Sequence, residues 1–265
     1  MEHKFVESER GRIHYWISFS EKSEAKTIVF THGLTASHEM FDKQVEFFKK
    51  DFNIILWDVP MHGMSRPYKD FSYENTASDL LNILEKEHIA KVVLVGMSMG
   101  GYPSQMFGYM YPERVEGFVA LDTTPFGISY YSKSDIWWLK QVGPMARWFT
   151  DSILRKSMAK SVSVTDYSYE VMMKMLEPLS KQDIIDQMDI AYGGFIKENK
   201  DVSFSFPVII LLGDHDRTGK VGVYCKAWSE KTGYPLIIIE NAAHFSNGDN
   251  PKQVNKVILD FINKL

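Results

Sequence analysis

The sequence predicts an α/β protein: a mostly parallel central sheet with helices on both faces, interrupted late in the chain by a helical insertion. Three observations predict it. Short β-branched runs alternate with amphipathic stretches. The central runs are apolar almost without a break, as strands covered on both faces are. Residues 123–201 carry helical spacing and no strand-like run.

In chain order, the predicted strands begin with the runs GRIHYWIS from Gly11, TIVFT from Thr27 and NIILWD from Asn53. They continue with KVVLVG from Lys91, VEGFVALD from Val115, PVIILLG from Pro207 and PLIIIE from Pro235. Between them, the stretch from Ser72 to Glu87 places Ala77, Leu80, Leu81 and Leu84 on one helical face. Repeated βα units need crossover helices, and ligands of such sheets bind beyond the carboxyl ends of the strands. The predicted core is therefore 1–122 together with 202–265. Residues 123–201 are predicted to form a helical lid, with Trp137, Trp138, Trp148, Phe149 and Met172 among its large side chains.

The chain has 265 residues, of which 45% are hydrophobic and 24% charged, a balance that suits one globular domain with an insertion. A net charge of −4 without a basic cluster argues against a nucleic-acid partner. No apolar run matches a signal-peptide core or a membrane span, so a cytoplasmic protein with no membrane partner is expected. Cys225 is the single cysteine, and an intrachain disulfide is impossible. The His and Asp residues lack H-E-x-x-H or paired-cysteine spacing, so no metal is expected.

The most informative motif is Gly96-Met97-Ser98-Met99-Gly100-Gly101, which follows the run KVVLV and precedes a helical segment from Tyr102 to Tyr111. This is G-x-S-x-G in the strand-turn-helix context that gives it meaning. A strand that reverses sharply into a helix brings backbone close to backbone, so small residues must flank the serine, whose hydroxyl is then displayed at the sheet edge. At the helix start the free N–H of Met99 and the helix dipole favour developing negative charge above Ser98.

Other segments carry a family resemblance. His32-Gly33-Leu34, after TIVFT, resembles the His-Gly oxyanion loop of α/β hydrolases, which makes the Leu34 N–H the second oxyanion donor. The segment from Asp58 to Ser65 resembles the D-x-x-G-x-G-x-S loop of the same superfamily, with Met61 in place of the first glycine. Its His62 and Ser65 are read as bracing residues. Gly213-Asp214-His215-Asp216 is similar to the superfamily's G-x-x-D turn, and Asp216 matches the triad acid. Asp214 competes for that role. Asp122 is a third candidate, because some relatives carry the acid at the end of the sixth strand. His244, after the last predicted strand, matches the superfamily histidine. A serine at the elbow argues against epoxide hydrolases and haloalkane dehalogenases, which place an Asp there.

The resemblance implies an α/β-hydrolase fold and a Ser98-His244-Asp216 triad with Leu34 and Met99 as backbone oxyanion donors. No cofactor is implied, and the partner is a small-molecule, ester-like substrate. Serine is a weak nucleophile, so His244 takes its proton during attack and returns it to the leaving group, while Asp216 fixes the imidazole tautomer. Hydrolysis of a small or medium apolar ester through an acyl-enzyme follows. Met97, Trp137, Trp138 and Trp148 are the candidate pocket residues. The Ser98-Met99-Gly100-Gly101 elbow equally resembles that of carbon–carbon bond and enol-lactone hydrolases. A ligand-sensing protein that keeps the fold and the triad is a third reading.

Overall fold

Side chains alternate across a strand, so each buried strand here feeds two cores at once. In strand Val92–Met97, Val92 and Leu94 pack into one core while Val93, Val95 and Met97 pack into the other. The computed structural model describes residues 1–22 and 24–265 and arranges its eight strands in one sheet. These are β1 Glu2–Ser8, β2 Gly11–Ser18, β3 Thr27–Thr31, β4 Asn53–Trp57, β5 Val92–Met97, β6 Val115–Leu121, β7 Val208–Gly213 and β8 Leu236–Ile239. Their spatial order is β1-β2-β4-β3-β5-β6-β7-β8. β1 pairs antiparallel with β2, and β2 with β4; the other pairings are parallel. β2 to β8 match the seven predicted runs, and β1 is an addition.

The helices are α1 Asp42–Phe48, α2 Tyr73–Lys86, α3 Gly101–Met110, α4 Lys133–Leu139, α5 Val142–Ala146 and α6 Asp151–Val162. They continue with α7 Asp166–Leu176, α8 Lys181–Glu198, α9 Val221–Thr232, α10 Ser246–Asp249 and α11 Pro251–Ile262. Helices α2, α3 and α9 cover one face of the sheet, through Leu80, Ile83, Met106, Phe107 and Trp228. Helices α1 and α11 cover the other, through Phe48, Val254, Ile258 and Ile262. Both faces are thus sealed, which is why β3 and β5 are buried along their whole length.

Helices α4 to α8 form the insertion between β6 and β7. The legs on which it stands are tied together: the Gly127 N–H donates to Asn199 Oδ1 at 2.7 Å, and the Ser129 hydroxyl to Asp201 Oδ1 at 2.9 Å. Helix α8 is also anchored on the core. The Glu198 carboxylate accepts the Tyr73 and Glu74 N–H groups at the start of α2, both at 3.0 Å, and the Tyr73 hydroxyl donates to Ala191 O at 2.9 Å. A carboxylate at a helix N-terminus satisfies N–H groups that have no partner within the helix.

Candidate active site

β5 ends at Met97, and the chain turns through Ser98 at φ 52° before entering α3. A left-handed serine costs on the order of 1–3 kcal/mol and persists only where its surroundings hold it. The glycines of the motif explain how the turn closes. A Cβ on Gly100 would lie 2.2 Å from Thr31 O, and one on Gly101 would lie 2.2 Å from Thr123 Oγ1. The elbow is therefore pressed directly on the end of β3, and the Thr123 hydroxyl donates to Ser98 O at 2.6 Å.

The ends of three strands meet above this turn. His244 Nε2 lies 2.7 Å from Ser98 Oγ, and His244 Nδ1 lies 2.8 Å from Asp216 Oδ2. Asp216 Oδ1 accepts the Thr218 N–H at 2.8 Å, so the turn after β7 holds the carboxylate in place. With Asp216 ionised, Nδ1 carries the proton and Nε2 is free to accept from Ser98. Burial raises the Asp216 pKa, but the charge and hydrogen bond of His244 and the Thr218 N–H outweigh it, and the net shift is downward. For His244, burial lowers the pKa, yet the charge and hydrogen bond of Asp216, with Asp122 behind it, turn the net shift upward.

The two competing carboxylates are engaged elsewhere. Asp214 accepts the Ala242 N–H at 3.0 Å and sits 2.7 Å from His215 Nδ1. Asp122, fully buried at φ 45°, accepts the Gly213 N–H at 2.8 Å and the Ser246 hydroxyl. Its pKa is pushed up to about 7, chiefly by burial, so it is only partly ionised near neutral pH.

Leu34 and Met99 both line the space beside Ser98. Gly33 brings the first of them close, since a Cβ there would lie 3.3 Å from Ser98 Cβ. His32 is buried beneath: its Nδ1 meets Gly33 O at 2.7 Å and its Nε2 accepts the Val59 N–H at 3.0 Å. Burial drives its pKa down to about 4, which keeps it neutral. In the loop after β4, Asp58 accepts the His38 and Met64 N–H groups at 2.9 and 2.7 Å, and Ser65 Oγ accepts the His14 N–H at 2.9 Å. His62 is buried and neutral, its pKa lowered to about 3 by burial. Met61 adopts φ 68°, the left-handed conformation that explains a glycine at the matching position of the family loop.

Ser98 and His244 open into a cavity of about 580 Å³ between the sheet edge and the insertion. Trp138, Leu139, Val142, Met145 and Phe195 supply much of its apolar wall. Thr124 Oγ1, on its core side, lies 2.8 Å from each of the Tyr102 and Tyr131 hydroxyls. Of the four expected pocket residues, only Trp138 lines this cavity. Met97 is directed by strand alternation into the core under α1 and α11. Trp137 packs edge to face on Trp138, with ring centroids 4.9 Å apart, and the two are similarly exposed, so Trp137 lies behind the wall that Trp138 forms. Trp148 follows the end of α5 and is 90% exposed. The sequence reading missed Tyr102, Thr124, Tyr131, Tyr192 and Tyr224 as lining residues. For Tyr102 a signal existed: it lies four residues after Ser98, one turn along the same helical face. Among the described residues, no three His, Cys, Asp or Glu side chains converge in a way that could hold a metal.

Comparison with known proteins agrees with the fold. Residues 26–251 match the family model described as alpha/beta hydrolase fold. A putative esterase/lipase of Haemophilus influenzae is 21% identical over 243 residues, covering 89% of this chain and 83% of that one. The 3-oxoadipate enol-lactonase 1 of Acinetobacter baylyi is also 21% identical, over 267 residues covering 94% and 93%. In structure, an esterase from Thermogutta terrifontis superposes with a TM-score of 0.80 at 19% identity, covering 100% of this chain and 99% of that one. With a family model matched over most of its length and the elbow, turns and sheet order in place, the chain belongs to the alpha/beta hydrolase fold family.

Proposed function

We propose that this α/β-fold hydrolase is a serine carboxylesterase acting on small or medium, largely apolar esters, with Ser98 as nucleophile, His244 as general base and Asp216 as its orienting acid. The observation that carries the reading is the unbroken relay from Ser98 Oγ to His244 at 2.7 Å and on to Asp216 at 2.8 Å. His244 Nε2 takes the hydroxyl proton as Ser98 attacks the carbonyl carbon. The tetrahedral oxyanion is received by the N–H groups of Leu34 and Met99, where one donor is worth on the order of a hundredfold in rate. Collapse expels the alcohol, protonated by His244, and leaves an acyl group on Ser98. Water, deprotonated by the same histidine, then releases the acid.

The apolar wall supports an apolar acyl or alcohol group, and the cavity volume lies in the range of sites for small organic ligands. Residues 123–201 are proposed to act as the lid over this site. A fluorophosphonate probe is expected to label Ser98, and Ser98→Ala to lose both labelling and hydrolysis of p-nitrophenyl esters. Full activity in Ser98→Ala sinks the reading, and an unlabelled native protein favours a ligand-binding role instead. A second reading, lactone or carbon–carbon bond hydrolysis by the same residues, is favoured by the Acinetobacter enol-lactonase, which matches nearly end to end. A substrate panel of lactones, diketones and dienones separates the two.

A further inference from the structure

The cavity has one feature that the triad does not use. Besides His244, the charged side chains lining it among the described residues are Asp135, from α4, and Lys220, from the turn after β7. They are bonded to each other, with Lys220 Nζ 2.6 Å from Asp135 Oδ1. Asp135 Oδ2 is occupied as well, accepting the Ser132 N–H at 2.8 Å and the Ser132 hydroxyl at 2.6 Å. The Asp135 side chain is 11% exposed and that of Lys220 60%. The hydrogen bonds from Lys220 and Ser132 hold the Asp135 carboxyl well below the usual carboxylate range, so it is ionised at any working pH.

A substrate with a free carboxylate therefore finds its one lining cation already neutralised. It meets instead an ion pair with no net charge to offer it, the apolar wall around Trp138 and Leu139, and the hydroxyls of Tyr102, Tyr131 and Thr124, which are partnered with one another. Moving a carboxylate out of water into such a space costs several kcal/mol unless a cation or several hydrogen bonds receive it. Arg217, the neighbouring cation on the same turn, is exposed and lies outside the lining.

Building on the hydrolase reading, we propose that the Asp135–Lys220 pair makes this site selective for uncharged substrates, with Asp135 as the residue that excludes esters carrying a free carboxylate. The pair also joins the insertion to the turn that bears Asp216, so the charge that sets selectivity sits on the bridge between them.

The test compares two esters of equal length, p-nitrophenyl methyl adipate and mono-p-nitrophenyl adipate, by kcat/KM. In the native enzyme the neutral ester is expected to win by on the order of a hundredfold, because the carboxylate of the other must leave water with no free cation to receive it. Asp135→Asn frees Lys220 while retaining an acceptor for Ser132, and is expected to narrow the ratio roughly tenfold. Lys220→Met leaves Asp135 unpaired, and is expected to widen it. A native ratio within about threefold of unity, or the two variants moving the ratio in the same direction, overturns the proposal. Fluorophosphonate labelling of Ser98 is run on every sample. Labelled enzyme without charge discrimination refutes the selectivity alone, whereas unlabelled enzyme refutes the hydrolase reading and the proposal with it.

Discussion

Replacing Asp216 by Asn keeps the shape of the side chain and removes the charge that faces His244. In the transition state of the proposed mechanism His244 is an imidazolium. Its nitrogen lies 2.8 Å from Asp216 Oδ2, in a pocket where the Asp216 side chain is fully buried and that of His244 is 6% exposed. At a charge separation of about 4 Å and an effective dielectric of about 20, the attraction lost is about 4 kcal/mol. That corresponds to roughly a thousandfold in kcat. An Asn that turns its NH2 toward Nδ1 also favours the wrong tautomer, which brings the loss toward 10⁴ on the order seen for triad aspartates. Asp122→Asn serves as the paired measurement. Asp122 is engaged with Gly213 and Ser246 and is only partly ionised near pH 7, so its loss is expected to cost less than about tenfold. The assay is kcat/KM on one p-nitrophenyl ester at fixed pH, with Tm as a check on folding. An Asp216→Asn enzyme that keeps more than a tenth of its activity, beside an Asp122→Asn enzyme that loses a thousandfold, would refute the assignment and move the acid to the end of β6.

The remaining predictions concern pH, packing and the pocket wall. His244 must be neutral to act as base, and its pKa lies above the ordinary 6.5; a profile of kcat/KM against pH should therefore fall on the acid side with a midpoint above 6.5. Removing the Asp216 charge leaves burial to act on the imidazolium, so in Asp216→Asn that midpoint should shift downward; an upward shift contradicts the assignment. Gly100→Ala places a Cβ 2.2 Å from Thr31 O and 2.5 Å from His32 O, both backbone atoms that cannot swing aside. A loss of about 3 kcal/mol is expected, seen as a fall in Tm of roughly 10 °C; an unchanged Tm contradicts the packing of the elbow on β3. Trp138→Ala should raise KM for longer acyl esters, whereas Trp148→Ala, at a side chain 90% exposed, should leave both KM and Tm unchanged; equal effects from the two would mean that the cavity wall runs elsewhere.

The site was legible where chemistry constrains backbone. The elbow needs glycine at the points of closest approach, and Gly100 and Gly101 mark them. The acid turn follows β7, which is buried along its whole length, whereas the base turn follows β8, an apolar edge strand of which only Ile239 is buried. Strand β1 was missed because it lies at the sheet edge, where only Val6 is buried and the EHKFVES alternation is faint. Pocket residues were the hardest to read. Apolar spacing says that a helix in the insertion buries one face, but not whether that face meets the core, a neighbouring helix or the cavity. Trp137 and Trp138 are adjacent tryptophans that pack on each other and are similarly exposed, yet only Trp138 reaches the cavity. Met97 shows the reverse case, since its strand parity alone placed it with Val93 and Val95, on the side away from the cavity.

Because β6 and β7 are neighbouring parallel strands, the chain leaves the sheet at its carboxyl edge after Leu121 and must run back along it to enter β7 at Val208, beside Phe118. The ties between Gly127 and Asn199 and between Ser129 and Asp201 close the legs of the insertion before that return begins. A segment whose ends already meet can be exchanged as a cassette. Its length matters little to the rest of the chain, since doubling a closed loop costs only about 0.6 kcal/mol. The wall that carries Asp135, Trp138 and Phe195 is tied to the turns beneath it by Asp135–Lys220 and by Val162 O, which accepts the Phe245 N–H at 2.8 Å beside His244, so a grafted insertion must keep those two contacts.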